Sequence, residues 1–507
     1  MCYLELVLDK RPLGRMQRNG AMSALCEFMH GAAKVRWALF PPKAQHQHSG
    51  CQLRLRVCAG GHAGAYGEGV VIDILLDNNS MNKARAFNPF LCAKTDKLMA
   101  LIAEVQVQMS EYELFYQTRK RARRPADQVT YDRIIEAILC DLCAVELGAD
   151  NDSIHLPLSK KTLGAKSRYK GTALGKTLPA ILDLMSAPEM DFVVLEKGHS
   201  TFKIVDDDLN VAFAGGQQTI LKAGPKLLSR IERFGITRDD ITHASEEEVL
   251  VLRAPKRHSN SIAKYQEYED DETTLALRQQ MTDINAWLDT ADINCSHPQV
   301  DPTQRRLRRI FNNSDFAQGG RLYGGFWQTM SSDERQEHIL IEGDWCVELD
   351  YGQMSLLLLY AEAQAQDHIP LGDLYDLSEY GIPAECRPGI KKVMQTIINS
   401  PEVPRRLPKG ARKHFPSTIN LRDILRAVEK KHPVIFPLMT SGIGMQLFHK
   451  ESDILVEVLE TLRSKGIVAL PIHDAVVVRD DNSDKAKAVM KKVFKEHTGI
   501  TPDVTLG

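Results

Sequence analysis

The sequence predicts an α+β protein of two to four domains. Three observations carry that expectation. Apolar residues recur at helical spacing through 95–118, 128–148 and 270–293. Short β-type runs, two of them ending in aspartate, gather between residues 340 and 480. The 507 residues, 43% hydrophobic and 26% charged, have the composition of a chain that buries a large core. No apolar run reaches the roughly 18 residues that cross a bilayer, so no membrane partner is expected. The N-terminus lacks a secretory pattern, and ten cysteines at uneven spacing do not make a disulfide framework. A reducing, cytoplasmic location follows.

Residues 1–90 are expected to be a poorly defined extension, with Met81 as a second candidate start. The run Gly60–Gly69 has no helix after it and reads as a loop, not a phosphate cradle. Residues 91–255 are expected to fold separately. Leu98, Leu101, Ile102, Val105 and Met109 mark a first helix. The basic run Arg119–Arg124 and Pro125 make a hinge before a second, with Ile134, Ile135, Ile138, Leu139, Leu142 and Val145 on its apolar side. Cys140 and Cys143 form C-x-x-C within that helix, but no second pair follows at zinc spacing, so they read as core. A basic stretch, Ser159–Lys176, leads to the helix Leu178–Met185. Two β runs follow, Phe192–Leu195 and Thr201–Val205, joined by Lys197-Gly-His-Ser200. Helix, basic turn, helix and hairpin is the order of a winged helix, whose second helix and wing meet a duplex. Residues 256–318 complete the approach as a thumb-like helical segment, with one helix over 270–293 and a basic one around 303–311.

Charge agrees with this only locally. Lys and Arg number 64 against 66 Asp and Glu, a net −2, yet the cations are bunched at 119–124, 160–176 and 305–309.

The chemistry lies in residues 319–507. Cys346-Val-Glu-Leu-Asp350 runs as a strand into the apolar helix Leu356–Ala361, and Val468–Val478 is two β runs hinged at His473-Asp474. Singly, a strand-end aspartate is a turn cap. Two on neighbouring strands can share a pair of divalent cations roughly 3.5–4 Å apart, which clamp an in-line phosphoryl displacement. Between them, Arg387, Lys391, Gln395 and Asn399 recur every four residues after Pro388 and share one helix face. Cations at a helix start suit a triphosphate.

That order resembles motifs A, B and C of family A DNA polymerases and of phage-type single-subunit RNA polymerases. Asp350-Tyr-Gly-Gln-Met is similar to Asp-Tyr-Ser-Gln-Ile of motif A. Gly320-Arg321-Leu322 with Gln328 looks like the segment ahead of it, and Gly444-Met-Gln446-Leu through Ile454 like the helix leading into motif C. The resemblance covers about residues 300–507 and implies a right-hand polymerase palm with reduced fingers at about 380–440. It implies that Asp350, Asp474 and the Tyr351 backbone hold two Mg²⁺ or Mn²⁺ ions. Arg387, Lys391, Gln395, Ser355 and Asn399 would meet the nucleoside triphosphate. Arg321, Gln328, His473 and Gln446 would meet a DNA or RNA primer–template.

Three positions depart from the pattern. Ser355 stands where family A DNA polymerases place a Glu that blocks a ribose hydroxyl, and Ala475 where they place Glu. Asn399 stands where both groups have a Tyr under the new base pair. The implied activity is therefore a ribonucleotide-tolerant, template-directed nucleotidyltransferase, used in replication, priming or by a mobile element. The competing reading is a DNA-binding replication initiator or regulator with a vestigial palm.

Overall fold

In a computed structural model the described residues are 3–9, 52–58, 70–75, 84–119, 121–148, 151–204, 211–256, 263–400 and 402–507. The chain divides into two compact units, residues 1–85 with 151–153, and residues 86–150 with 154–507. The first contains an antiparallel sheet of Tyr3–Asp9, Gln52–Cys58 and Val70–Leu75, in that order. Its register sets Leu6 opposite Leu55 and Leu55 opposite Ile72. Gly60–Gly69 and Met81 lie outside the described residues.

The second unit begins on the two expected helices, Asp96–Phe115 and Pro125–Glu146. Pro125 sits in the first turn of the latter, where its missing N–H costs no hydrogen bond. Cys140 and Cys143 are buried in its packed face, and burial pushes the Cys143 thiol up to about 12. Next come the strand Ser153–Leu156, a short helix Lys160–Gly164 and the helix Leu178–Met185. The strand Thr219–Ala223 then lies between Ser153–Leu156 and Val193–Glu196, antiparallel to both.

The expected hairpin is longer than the sequence suggested. Val193–Glu196 pairs with Thr219–Ala223, whereas His199–Ile204 pairs with Val211–Gln217. Lys197-Gly-His-Ser is therefore not the turn. A Cβ on Gly198 would sit 2.4 Å from the Gln217 carbonyl oxygen and 2.6 Å from the Thr219 nitrogen. The glycine marks a close approach of two backbones within the ladder, not its end.

The basic stretch is partly used inside the chain. Arg168 lies over the Tyr268 ring at 3.6 Å and donates to Glu248 (3.0 Å), Asp270 (2.9 Å) and the Tyr268 carbonyl (2.7 Å). Lys170 donates to the carbonyls of Leu163 (2.7 Å) and Ala165 (2.8 Å). Lys160, Lys161, Lys166 and Lys176 stay exposed.

The helix Glu272–Thr290 forms as expected, capped by the Asp271 carboxylate on the Thr274 N–H. The basic helix around 303–311 does not. Arg308–Asn312 is a strand, parallel to Leu250–Leu252 and antiparallel to Asp315–Tyr323. Leu307, Arg309 and Phe311 alternate inward. One of those inward side chains is an arginine, 1% exposed and ion-paired with Asp453, and that charge disguised the strand period.

An antiparallel sheet carries Asp350 and, in one of its turns, Asp474. Its path runs Ile293–Cys295, Ile339–Ile341, Asp344–Tyr351, Ala475–Arg479, Ala469–Ile472, with Val504–Leu506 also on Asp344–Tyr351. Helices Met354–Glu362, Arg387–Ile398, Gly444–Ser464 and Ser483–Thr498 contribute to the same hydrophobic core as the sheet, as do Met281, Ile284 and Leu288. No helix among the described residues is long and apolar enough to cross a membrane.

Candidate metal and triphosphate site

Asp350 is the last residue but one of the strand Asp344–Tyr351, and Asp474 is the turn residue just before the strand Ala475–Arg479. Asp350 pairs with Ala475, and Ile472 pairs with the same Ala475 across the two-residue turn His473-Asp474. His473 takes φ 53°, the left-handed conformation that tight hairpins demand. A cross-strand spacing of at most about 5.5 Å plus one peptide step of 3.8 Å keeps the two aspartate Cα atoms within about 9 Å. The charges feel each other. Burial first, then the Asp474 charge, pushes the Asp350 carboxyl up to about 7, while Lys391 pulls it down. Asp350 Oδ1 is buried with no hydrogen-bond partner.

The chain fixes this strand end firmly. The Tyr351 hydroxyl donates to the Met490 carbonyl at 2.7 Å, and the Gly352 N–H to the Asp503 carbonyl at 3.0 Å. Gln353 then takes φ 61° as the cap of Met354–Glu362. Left-handed non-glycine residues thus flank both aspartates, a strain the surrounding packing has to hold.

Opposite lies the helix Arg387–Ile398. Ile390, Val393, Met394, Ile397 and Ile398 are its buried face; Arg387, Lys391, Gln395 and Asn399 share the other, as the four-residue spacing predicted. Arg387 pairs with Asp373, whereas Lys391 has no ion pair among the described residues. Gln395 donates to Ser355 Oγ at 3.1 Å. Asn399 donates back to the Gln395 carbonyl at 2.8 Å. The Asn399 side chain lies where a Cβ on Gly444 would go, 2.3 Å from Oδ1, with the Ile398 carbonyl oxygen at 2.9 Å. Gly444→Ala must therefore push this helix away from the start of Gly444–Ser464. A loss of about 1–3 kcal/mol is expected in a urea titration, the range for overpacking.

The four residues expected on a primer–template fall differently. Arg321 grips Glu451 through Nε (2.6 Å) and Nη2 (2.9 Å) and lies 3.7 Å over the Phe448 ring. Gln328 is spent on the fold: its amide donates to the Leu322 and Pro471 carbonyls, both at 3.0 Å, and accepts from the Gly324 N–H. His473 is beside the aspartates, its ring 5.8 Å from that of Tyr323. Gln446 is exposed in the first turn of Gly444–Ser464, apart from these contacts.

Two residues without an expected role join the site. Glu451 is 1% exposed, and burial pushes its carboxyl up to about 7 against Arg321, with Asp474 and Asp350 adding to the rise. Its signal was readable: a carboxylate at i+4 from Leu447 within the buried stripe Leu447, Ile454, Leu455 and Val458. Tyr375, 2% exposed, places its hydroxyl 3.4 Å from Gln395 Nε2, and nothing in its loop sequence announces this.

The raised carboxyls set a pH dependence. The folded protein keeps the Asp350 and Glu451 protons to about pH 7, whereas the unfolded chain releases them near 4. Their contribution to stability therefore falls as pH rises from about 4 to about 7. Urea midpoints of metal-free Asp350→Asn protein should exceed wild type by more at pH 8 than at pH 4.

No protein-family model matches the chain, and no curated protein matches it either.

Proposed function

We infer that the protein is a template-directed nucleotidyltransferase that extends a nucleic-acid chain from nucleoside triphosphates. One observation carries this reading: Asp350 at the end of one strand and Asp474 in the turn that opens its neighbour act on each other, and the charge of Lys391 acts on Asp350 as well. A retired site has no physical reason to keep two repelling, half-buried carboxylates. Their arrangement fits a divalent cation, because Asp350 Oδ1 lacks any partner and the mutual repulsion is relieved by positive charge. Among the described residues no group of three or more His, Cys, Asp or Glu forms a cage. Two carboxylates suit Mg²⁺, which takes its remaining ligands from water and substrate phosphates. Asp350, Asp474 and the Tyr351 carbonyl would hold Mg²⁺ or Mn²⁺, and such ions supply charge neutralisation at the attacking and leaving oxygens.

The chain's own part is positioning. Lys391 and Arg387 would bind the triphosphate, with Arg387 exchanging Asp373 for phosphate oxygens. The sheet, the helix Arg387–Ile398 and the helix Gly444–Ser464 are consistent with a small palm with reduced fingers. The order helix, strand, helix, helix, strand, hairpin, strand, with the last strand central, supports a winged helix over residues 125–223. Its exposed lysines, and not Arg168, would meet a duplex.

Primer extension on a primed template with Mg²⁺ or Mn²⁺ tests the proposal. Lys391→Ala should raise KM for the triphosphate about ten-fold or more, the loss of one charge-assisted contact. An unchanged KM would remove Lys391 from the substrate.

A further inference from the structure

The helix Asp96–Phe115 ends on rings that its own core does not take. It buries Leu98, Leu101, Ile102, Val105 and Met109 along one face, yet at its end Leu114 is 80% exposed, Phe115 79% and Tyr116 48%. The rings pack on one another instead. The Tyr116 centroid lies 4.4 Å from that of Tyr112 and 5.0 Å from that of Phe115, the latter edge to face. The Tyr112 hydroxyl donates to Glu189 Oε2 at 3.3 Å and moors the group. Single exposed apolar residues need no explanation, but a braced group of rings facing water does.

The chain then brings cations to the same place. Gln117 takes φ 48°, and the Gln117 and Thr118 N–H groups donate to the Leu114 and Glu113 carbonyls at 3.3 and 3.1 Å, so the helix stops and the chain turns back. Arg123 ties the return to the helix end: it donates to Glu113 at 2.6 Å and lies 3.4 Å over the Tyr131 ring. Between Glu113 and Asp127 the sequence has five cations, Arg119, Lys120, Arg121, Arg123 and Arg124, and no carboxylate. Arg123 is paired with Glu113, whereas Arg119, Arg121 and Arg124 are exposed and have no ion pair among the described residues. Rings and unpaired guanidiniums share one bend.

We propose that this bend is a docking site for single-stranded nucleic acid, with bases stacked on Phe115 and Tyr116 and phosphates held by Arg119, Arg121 and Arg124. Charge selects a polyanion, and the rings select its form. Stacking on an aromatic side chain needs an open base face, which a single strand offers and a duplex covers. Arginine serves both parts, since its guanidinium pairs with phosphate and also stacks on flat rings. An anionic membrane laid along the helix would meet the exposed Glu111 one turn before Phe115, whereas a strand crossing only the helix end avoids it. The site lies outside the residues 319–507 that carry the two aspartates and does not depend on their chemistry.

Fluorescence anisotropy of a labelled oligothymidylate of about 12 nucleotides, a length within the span of such surfaces, tests this on the full chain in metal-free buffer. Phe115→Ala and Phe115→Leu should each weaken binding about ten-fold, the effect of one stacked base, while Phe115→Trp binds as wild type does. Leucine keeps the apolar contact and loses only the stacking face. Binding of a hairpin duplex should not change in any of the three. Replacing Arg119, Arg121 and Arg124 together by Gln should flatten the slope of log Kd against log salt by about 2, at roughly 0.7 per phosphate. The urea midpoint should stay at the wild-type value throughout, since every change is on the surface. Failure of wild type to bind the oligothymidylate, affinity unmoved by Phe115→Ala, an equal loss in Phe115→Trp, an equal loss on the hairpin or an unchanged salt slope each overturns the proposal. So does Phe115-dependent uptake on phosphatidylserine vesicles without strand binding, which would give the rings to a membrane. A dimer in light scattering that Phe115→Ala dissolves, again without strand binding, would give them to a second copy of the chain and overturn it equally.

Discussion

Asp350→Asn and Asp474→Asn proteins are each expected to lose primer extension by about three orders of magnitude or more while remaining folded. The size follows from the geometry. The two aspartates lie at the end of one strand and in the turn before its neighbour, and one carboxylate already raises the other. They act as one site, so removal of either dismantles it. The double variant should be no worse than the single ones, as for groups that work as a unit. Folding should survive, since an amide in place of the half-buried Asp350 carboxyl removes a repulsion instead of a contact. Full activity in either variant, measured as initial rate on a primed template, would remove the enzyme assignment.

The second large effect concerns Arg321. Read from the sequence it lies along a duplex; in the structure both carboxylate oxygens of Glu451 are on its guanidinium. Arg321→Ala strands a buried carboxylate beside Asp350 and Asp474. Breaking one partner of a buried pair typically costs 3–5 kcal/mol, and about 3 kcal/mol is expected here because Glu451 can take up a proton. Urea denaturation reads this directly. Arg321→Met with Glu451→Met should recover most of the loss, because the pair is then replaced by apolar contacts with no charge left unpaired. If Arg321→Ala leaves the midpoint unchanged and only weakens primer–template binding, the arginine serves the nucleic acid after all.

How much of this was legible beforehand depended on whether side chains advertised their environment. The helices Asp96–Phe115, Leu178–Met185 and Glu272–Thr290 came straight from apolar spacing. The strand carrying Asp350, the His473-Asp474 turn and the cationic helix face were readable because each keeps its period up to the functional residue. The strand Arg308–Asn312 was misread because Arg309 is a buried cation that looks like a surface one. The long hairpin was misplaced because Gly198 serves a close approach and not a turn. Arg168 and Gln328 look free in sequence, yet their partners lie 80 and 143 residues away. Tyr375 was invisible for the same reason: what makes it matter is a hydrogen bond to a helix twenty residues on. Periodicity reports burial along one element, whereas these roles are set by contacts between elements.

The most direct measurement is Mn²⁺ binding to the isolated protein, followed by electron paramagnetic resonance. Wild type should take up the ion, Asp350→Asn and Asp474→Asn should each lose most of that affinity, and Mg²⁺ should compete. Equal Mn²⁺ uptake by wild type and both variants would mean that the two carboxylates do not share a cation, and the account would be wrong at its centre.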